Sequence, residues 1–129
     1  MQNRIFGIMD NGENVYLIKL FSNELSVNIL TFGAILQNMH FKQRSVVLGY
    51  NELQPYIKNK FYYGAVIGRF ANRLKNGYAK LSHGTIQAEI NTDTGHHIHG
   101  GSKGSCYKNW QILEQSQSHV VLEVLLPDG

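Results

Sequence analysis

The chain has 129 residues, 43% of them hydrophobic and 16% charged, with a formal net charge of +3 at pH 7. That composition suits one ordinary globular domain and excludes a disordered or fibrous protein. The basic residues come nearest to clustering at Lys58 with Lys60 and at Arg69, Arg73 and Lys75; they form no stripe, so no nucleic-acid partner is expected.

Cys106 is the single cysteine, so an internal disulfide is ruled out and a reducing compartment is the natural setting. Met1 to Asp10 contains no apolar targeting core, and no apolar run approaches membrane-spanning length. A cytoplasmic protein with no membrane partner is the expectation. Thirteen Gly, seven Tyr and six Phe against two Pro favour many tight turns between strands.

In chain order, Asp10 to Asn14 is a turn signal, with Asn11-Gly12 suited to positive φ. Val15 to Phe21 follows as a strand whose near-continuous apolar character predicts burial on both faces. Asn23-Glu24 turns the chain. Leu25, Val27 and Ile29 then alternate with Ser26 and Asn28, the two-residue period of a half-buried strand. Gly33 marks a bend, Ala34 to Phe41 is extended again, and Val46 to Leu48 is a short strand ending at Gly49.

Asn51 to Lys60 breaks the β pattern and suits a short helical turn that Pro55 limits. Phe61 to Ile67 turns from aromatic to small and β-branched, which predicts tight packing against neighbouring backbone. Tyr78 to Leu81 and Ile86 to Ile90 flank Ser82 to Thr85 as a hairpin. Gly95 to Gly104 is expected to be loop. Trp110 to Leu113 and His119 to Leu126 form a last strand pair. No segment keeps a helical period over ten residues, so the fold class is all-β, a β-sandwich. The apolar strand before Pro127-Asp128-Gly129 lacks a following partner, which suggests a fold that continues past this chain.

Two polar clusters could carry chemistry. Arg69, Asn72 and Arg73 offer guanidinium donors and a carboxamide that suit vicinal hydroxyls or a carboxylate; the plainer alternative is a surface Arg and a turn-forming Asn. His96, His97 and His99 precede Gly100-Gly101. His97 and His99 would share a strand face as a metal pair, but no third ligand stands at metal spacing; a hydrogen-bonding role, or a merely exposed or core-satisfied ring, remain open. His40, His83 and His119 stand alone, and Cys106 lies in a polar loop without a neighbouring base. No dinucleotide fingerprint, phosphate loop or nucleophile elbow occurs.

With these clusters in view, the sequence resembles the aldose 1-epimerase (galactose mutarotase) family. The markers occur in order: Thr31-Phe32-Gly33-Ala34, Val47-Leu48-Gly49-Tyr50, Tyr63-Gly64-Ala65, Gly68-Arg69-Phe70-Ala71-Asn72-Arg73, Asn91, and Ile98-His99-Gly100-Gly101. Lys103-Gly104, Trp110 and Pro127-Asp128-Gly129 continue the match. Residues 1–129 then read as the N-terminal portion of a single aldose 1-epimerase-like domain, an incomplete galactose mutarotase-like supersandwich.

The resemblance implies an enzyme that interconverts the α and β anomers of free hexoses such as galactose and glucose. A base takes the anomeric hydroxyl proton, an acid protonates the ring oxygen, and the ring opens and recloses; both steps are proton transfers, so no cofactor or metal is implied. In the family the Asn-Arg pair and the His of His-Gly-Gly grip sugar hydroxyls, roles that carry onto Asn72, Arg73 and His99. The family's catalytic acid (a second His), a sugar-binding Asp and the base (a late Glu) lie beyond the matched stretch. This chain alone is therefore expected to be inactive, to hold a small-molecule sugar, and to self-associate through an exposed edge. Ser105 and Cys106 replace a more usual Phe-Asp, a change expected to loosen the loop. A non-catalytic carbohydrate-binding sandwich module is the alternative.

Overall fold

A computed structural model describes residues 3–58 and 61–127. Lys60 and the Asp128-Gly129 turn signal lie outside the described residues. Five antiparallel strands form a meander in the order β1-β2-β3-β4-β5: Arg4–Ile8, Asn14–Ser22, Leu25–Leu30, Leu36–Phe41 and Arg44–Ser45. Three two-stranded ribbons complete the described sheet structure. They pair β6 (Arg73–Leu74) with β9 (His97–Ile98), β7 (Tyr78–Leu81) with β8 (Gly84–Gln87), and β10 (Gln111–Gln115) with β11 (Val120–Glu123).

The turn chemistry sets the meander. Asn23, at φ 49°, closes β2 onto β3, and the register runs unbroken from Leu17 opposite Leu30 to Ser22 opposite Leu25. Lys42 and Gln43, at φ 47° and 68°, give the two left-handed residues that a tight hairpin twist demands between β4 and β5. Ser82 and His83 turn the β7–β8 hairpin where expected, although β8 ends at Gln87 rather than Ile90.

The core lies on one face of the meander. Val15 and Leu17 of β2, Leu30 of β3, and Phe32 and Ile35 beyond it pack with Leu53 and Tyr56 of the single short helix among the described residues, α1 (Leu53–Lys58). Each such side chain contributes about 1.5–3 kcal/mol when fully buried. α1 approaches β1 closely at Gly7, where a Cβ would sit 2.7 Å from that of Leu53. Ile18 is also fully buried, so β2 is covered on both faces at its start, but Lys19 and Phe21 are exposed and the two-sided burial stops there. Across the sheet, Phe21 N–H donates to Gln117 O at 2.8 Å and Trp110 N–H to Thr31 O at 2.8 Å, tying the β10–β11 ribbon to β2 and β3.

Several local expectations need correction. Val46 to Leu48 is not a strand: Gly49 wedges against the Gln37 carbonyl, which a Cβ would approach to 2.0 Å, and Gln37 Nε2 donates to Tyr50 O. Val46 N–H still donates to Met39 O at 2.9 Å, and beyond it the chain leaves β4. Pro55 does not limit α1 but sits within its first turn, where the backbone N–H has no helical partner to lose. β11 ends at Glu123, not Leu126, and Leu125 is 93% exposed. Gly95 to Gly104 is not simple loop, since it contains β9 and a 3-10 turn, Gly101–Lys103. Phe61 to Ile67 does pack on backbone as expected, with Leu36 N–H donating to Gly64 O at 2.9 Å.

Candidate functional site

The two polar clusters converge through a pair of left-handed residues. Asn72 (φ 58°) and His99 (φ 55°) leave the β6–β9 ribbon at the same end, where Arg73 stands opposite Ile98. Asn72 N–H donates to His99 Nδ1 at 3.0 Å, and His99 N–H donates back to Asn72 O at 3.1 Å. Arg73 Nη1 donates to Asn72 Oδ1 at 3.3 Å. Asn72, Arg73 and His99 are thus one constellation.

This geometry fixes the imidazole tautomer. Because Nδ1 accepts a backbone N–H, the neutral ring carries its proton on Nε2, which meets no acceptor among the described residues. Partial burial, and then the nearby Arg73 charge, hold the His99 pKa below its ordinary value, so the ring is neutral at neutral pH. The Tyr62 ring meets His99 edge-on at 4.8 Å, and Tyr107 Oη donates to Tyr62 Oη at 3.3 Å. Arg73 has no carboxylate ion-pair partner among the described residues. The site therefore combines a guanidinium, a carboxamide and an imidazole N–H, a donor-rich set for oxygen-bearing ligands.

Glycine makes the close packing possible. Gly100 (φ 84°) lies so near Gly68 that a Cβ would come within 2.2 Å of its carbonyl oxygen, and Ser105 N–H donates to the same oxygen at 3.0 Å. Ser105 and Cys106 are both buried in a second 3-10 turn, Ser105–Tyr107. Ser105 Oγ donates to Val66 O at 2.7 Å, and Trp110 Nε1 donates to Ser105 O at 3.0 Å. Both side chains are accommodated by burial in this loop. Burial also raises the Cys106 pKa, leaving a protonated thiol rather than a nucleophile.

The other candidates separate from the constellation. His97 does not share a face with His99: it is buried, edge-on to Phe70, and its Nδ1–H donates to Glu89 O at 2.8 Å. Among the described residues no three His, Cys, Asp or Glu side chains come together to hold a metal ion. His96 Nδ1 accepts the Asn76 N–H at 3.2 Å, and Arg69 Nη2 donates to the carbonyls of Leu126 and Pro127 at 2.7 and 2.9 Å. Both are structural uses. Tyr62, Glu89 and Asn91 border the constellation without a signal in the sequence; Asn91 is one of the ordered markers, but nothing in its neighbours announces a partner.

The sequence profile of the aldose 1-epimerase family matches residues 16–129. The chain belongs to the aldose 1-epimerase family. It is similar to the galactose mutarotase of Bos taurus, 35% identical over 131 residues that cover 97% of this chain and 38% of that protein. The bifunctional protein gal10 of Schizosaccharomyces pombe is 32% identical over 125 residues, which are 95% of this chain and 17% of that one. The solved galactose 1-epimerase of Lactobacillus acidophilus superposes with a TM-score of 0.84 at 27% identity, over 99% of this chain and 39% of that one. The fold is accordingly the β-sandwich of the galactose epimerases, and this chain spans little more than a third of their length. No helix among its described residues is long and apolar enough to cross a membrane.

Proposed function

We propose that this chain forms the substrate-gripping wall of an aldose 1-epimerase acting on free hexoses such as galactose and glucose. The observation that carries the reading is the reciprocal Asn72–His99 pairing at 3.0 and 3.1 Å beside Arg73. It presents three hydroxyl-directed groups in fixed relative geometry, as binding a polyol requires. Asn72 and Arg73 would orient the sugar hydroxyls, and His99 Nε2–H would donate to a further sugar oxygen. The acid that protonates the ring oxygen and the base at the anomeric hydroxyl would come from polypeptide other than these residues. Cys106, present as a free thiol, suits a cytoplasmic setting.

Polarimetry on freshly dissolved α-galactose tests the division of labour. The chain alone is expected to leave anomer exchange at the buffer rate; clear acceleration would mean that it holds its own acid and base. Galactose binding is expected to be weak. A dissociation constant tighter than about 1 mM without turnover would favour a carbohydrate-binding module instead.

Self-association belongs to the same reading. Leu125, Leu48 and Phe61 are 93%, 76% and 64% exposed, apolar side chains that a second copy would cover. Sedimentation velocity is expected to show species that grow with concentration, and a monodisperse, cooperatively unfolding monomer would count against it.

A further inference from the structure

His99 opens a run of three left-handed residues, with Gly100 and Gly101 at φ 84° and 73°. Three such residues in succession are sterically unusual, and a left-handed residue that bears a side chain persists where its surroundings hold it. Here both ends are held by side chains of one three-residue segment. Before the run, Ile98 N–H donates to Asn91 Oδ1 at 2.7 Å, and Asn91 Nδ2 donates to Ile98 O at 3.0 Å. After it, Ser102 N–H and Oγ–H both donate to Glu89 Oε2, at 2.8 and 2.9 Å.

We propose that Asn91 and Glu89 are positioning residues that brace His99 from either side, so that its ring keeps Nδ1 on Asn72 and presents Nε2–H to the ligand. Ile98 faces Arg73 across the ribbon, and its own peptide groups turn to Asn91. A carboxamide carries the same donor and acceptor as a peptide, so Asn91 stands in for a neighbouring strand. Glu89 acts on the far side. Gly101 must lack a side chain for this, because a Cβ there would lie 2.6 Å from Glu89 Oε2. The two Ser102 hydrogen bonds also lower the Glu89 pKa, so the carboxylate is ionised and accepting at neutral pH. His97 reinforces the segment by donating to the Glu89 carbonyl.

The proposal concerns His99 itself, and only its consequence for ligand binding rests on the sugar-site reading. Nitrogen-15 imidazole spectra of the 129-residue chain, without sugar, should show His99 as a single Nε2–H tautomer and His97 as Nδ1–H. Asn91→Ala and Glu89→Ala should each turn the His99 signal into a tautomer mixture, with the remote His40 unchanged. Glu89→Gln should keep the parent spectrum, since its carboxamide oxygen still accepts from Ser102. Galactose-induced shifts should weaken about tenfold in both Ala variants and not in Glu89→Gln.

An unchanged His99 tautomer in Asn91→Ala overturns the brace. If that variant loses the native Trp110 fluorescence and is unfolded, the Glu89→Ala and Glu89→Gln pair decides: equal His99 spectra in the two overturn it. A parent chain that shows no galactose response, while its tautomer still follows these substitutions, keeps the brace and overturns the sugar reading.

Discussion

Gly100→Ala is expected to destabilise the chain by about 3 kcal/mol or more, whereas Gly95→Ala costs about 1–2 kcal/mol. Both glycines have left-handed backbone, φ 84° and 77°, so an added methyl is strained at either site. Only at Gly100 does it also meet atoms, with the Gly68 oxygen at 2.2 Å and the Gly104 Cα at 3.1 Å; at Gly95 nothing lies within 4 Å. The obstacles at Gly100 are backbone, so relief means moving the segment that leads into Asn72 or the one that leads into Ser105. Against a total stability of about 5–15 kcal/mol for a small domain, the loss is large. Urea unfolding followed by the single tryptophan checks it, because Trp110 Nε1 bonds Ser105 O beside the disturbed loop. Equal losses at Gly95 and Gly100 would show that conformational strain, not the close approach to Gly68, governs this loop.

The same close approaches separate what the sequence disclosed from what it hid. Asn11-Gly12, Asn23-Glu24 and Ser82-His83 punctuate the chain because their conformations are local; between those turns β2 follows from its near-continuous apolar run and β3 from its alternation. Val46 to Leu48 has the same apolar composition as a strand. Its fate was decided at long range, by Gly49 lodging against Gln37, and no window around Val46 contains that contact. Pro55 differs for the opposite reason: proline breaks helix interiors, but in a first turn its missing N–H costs no helical hydrogen bond. The site shows the same split. Residue types at Asn72, Arg73 and His99 announced polar recognition, and the family resemblance assigned them together. Their mutual bonding depends on two left-handed residues 27 positions apart, which no periodicity reveals. Ser105 and Cys106 looked like intrusions in a polar loop, yet small buried side chains are what the 3-10 turn beneath Gly68 accommodates.

His99→Phe is expected to weaken galactose binding at least about tenfold and to destabilise the chain by about 1–3 kcal/mol, the cost of leaving a polar group without its partner. The phenyl ring keeps an edge for Tyr62 but offers no acceptor to the Asn72 N–H and no donor in place of Nε2–H. His99→Asn separates these effects. Asparagine tolerates φ 55° and its Oδ1 can accept from Asn72, so this variant should fold like the parent while still binding galactose poorly. Acid should imitate the loss in the parent. Burial and then Arg73 depress the His99 pKa, so the folded chain takes up that proton less readily than the unfolded one. The stability this provides is complete above the ordinary value of 6.5 and is lost as pH falls through the folded value. Protonation puts a hydrogen on Nδ1, where Asn72 already donates, so the Asn72 bond and galactose binding should fall together. Parallel titrations of the His99 imidazole and of galactose-induced shifts check this, with His99→Asn as the variant whose acid response is removed. A midpoint above 6.5, or an undiminished acid response in His99→Asn, would show that another group governs the binding.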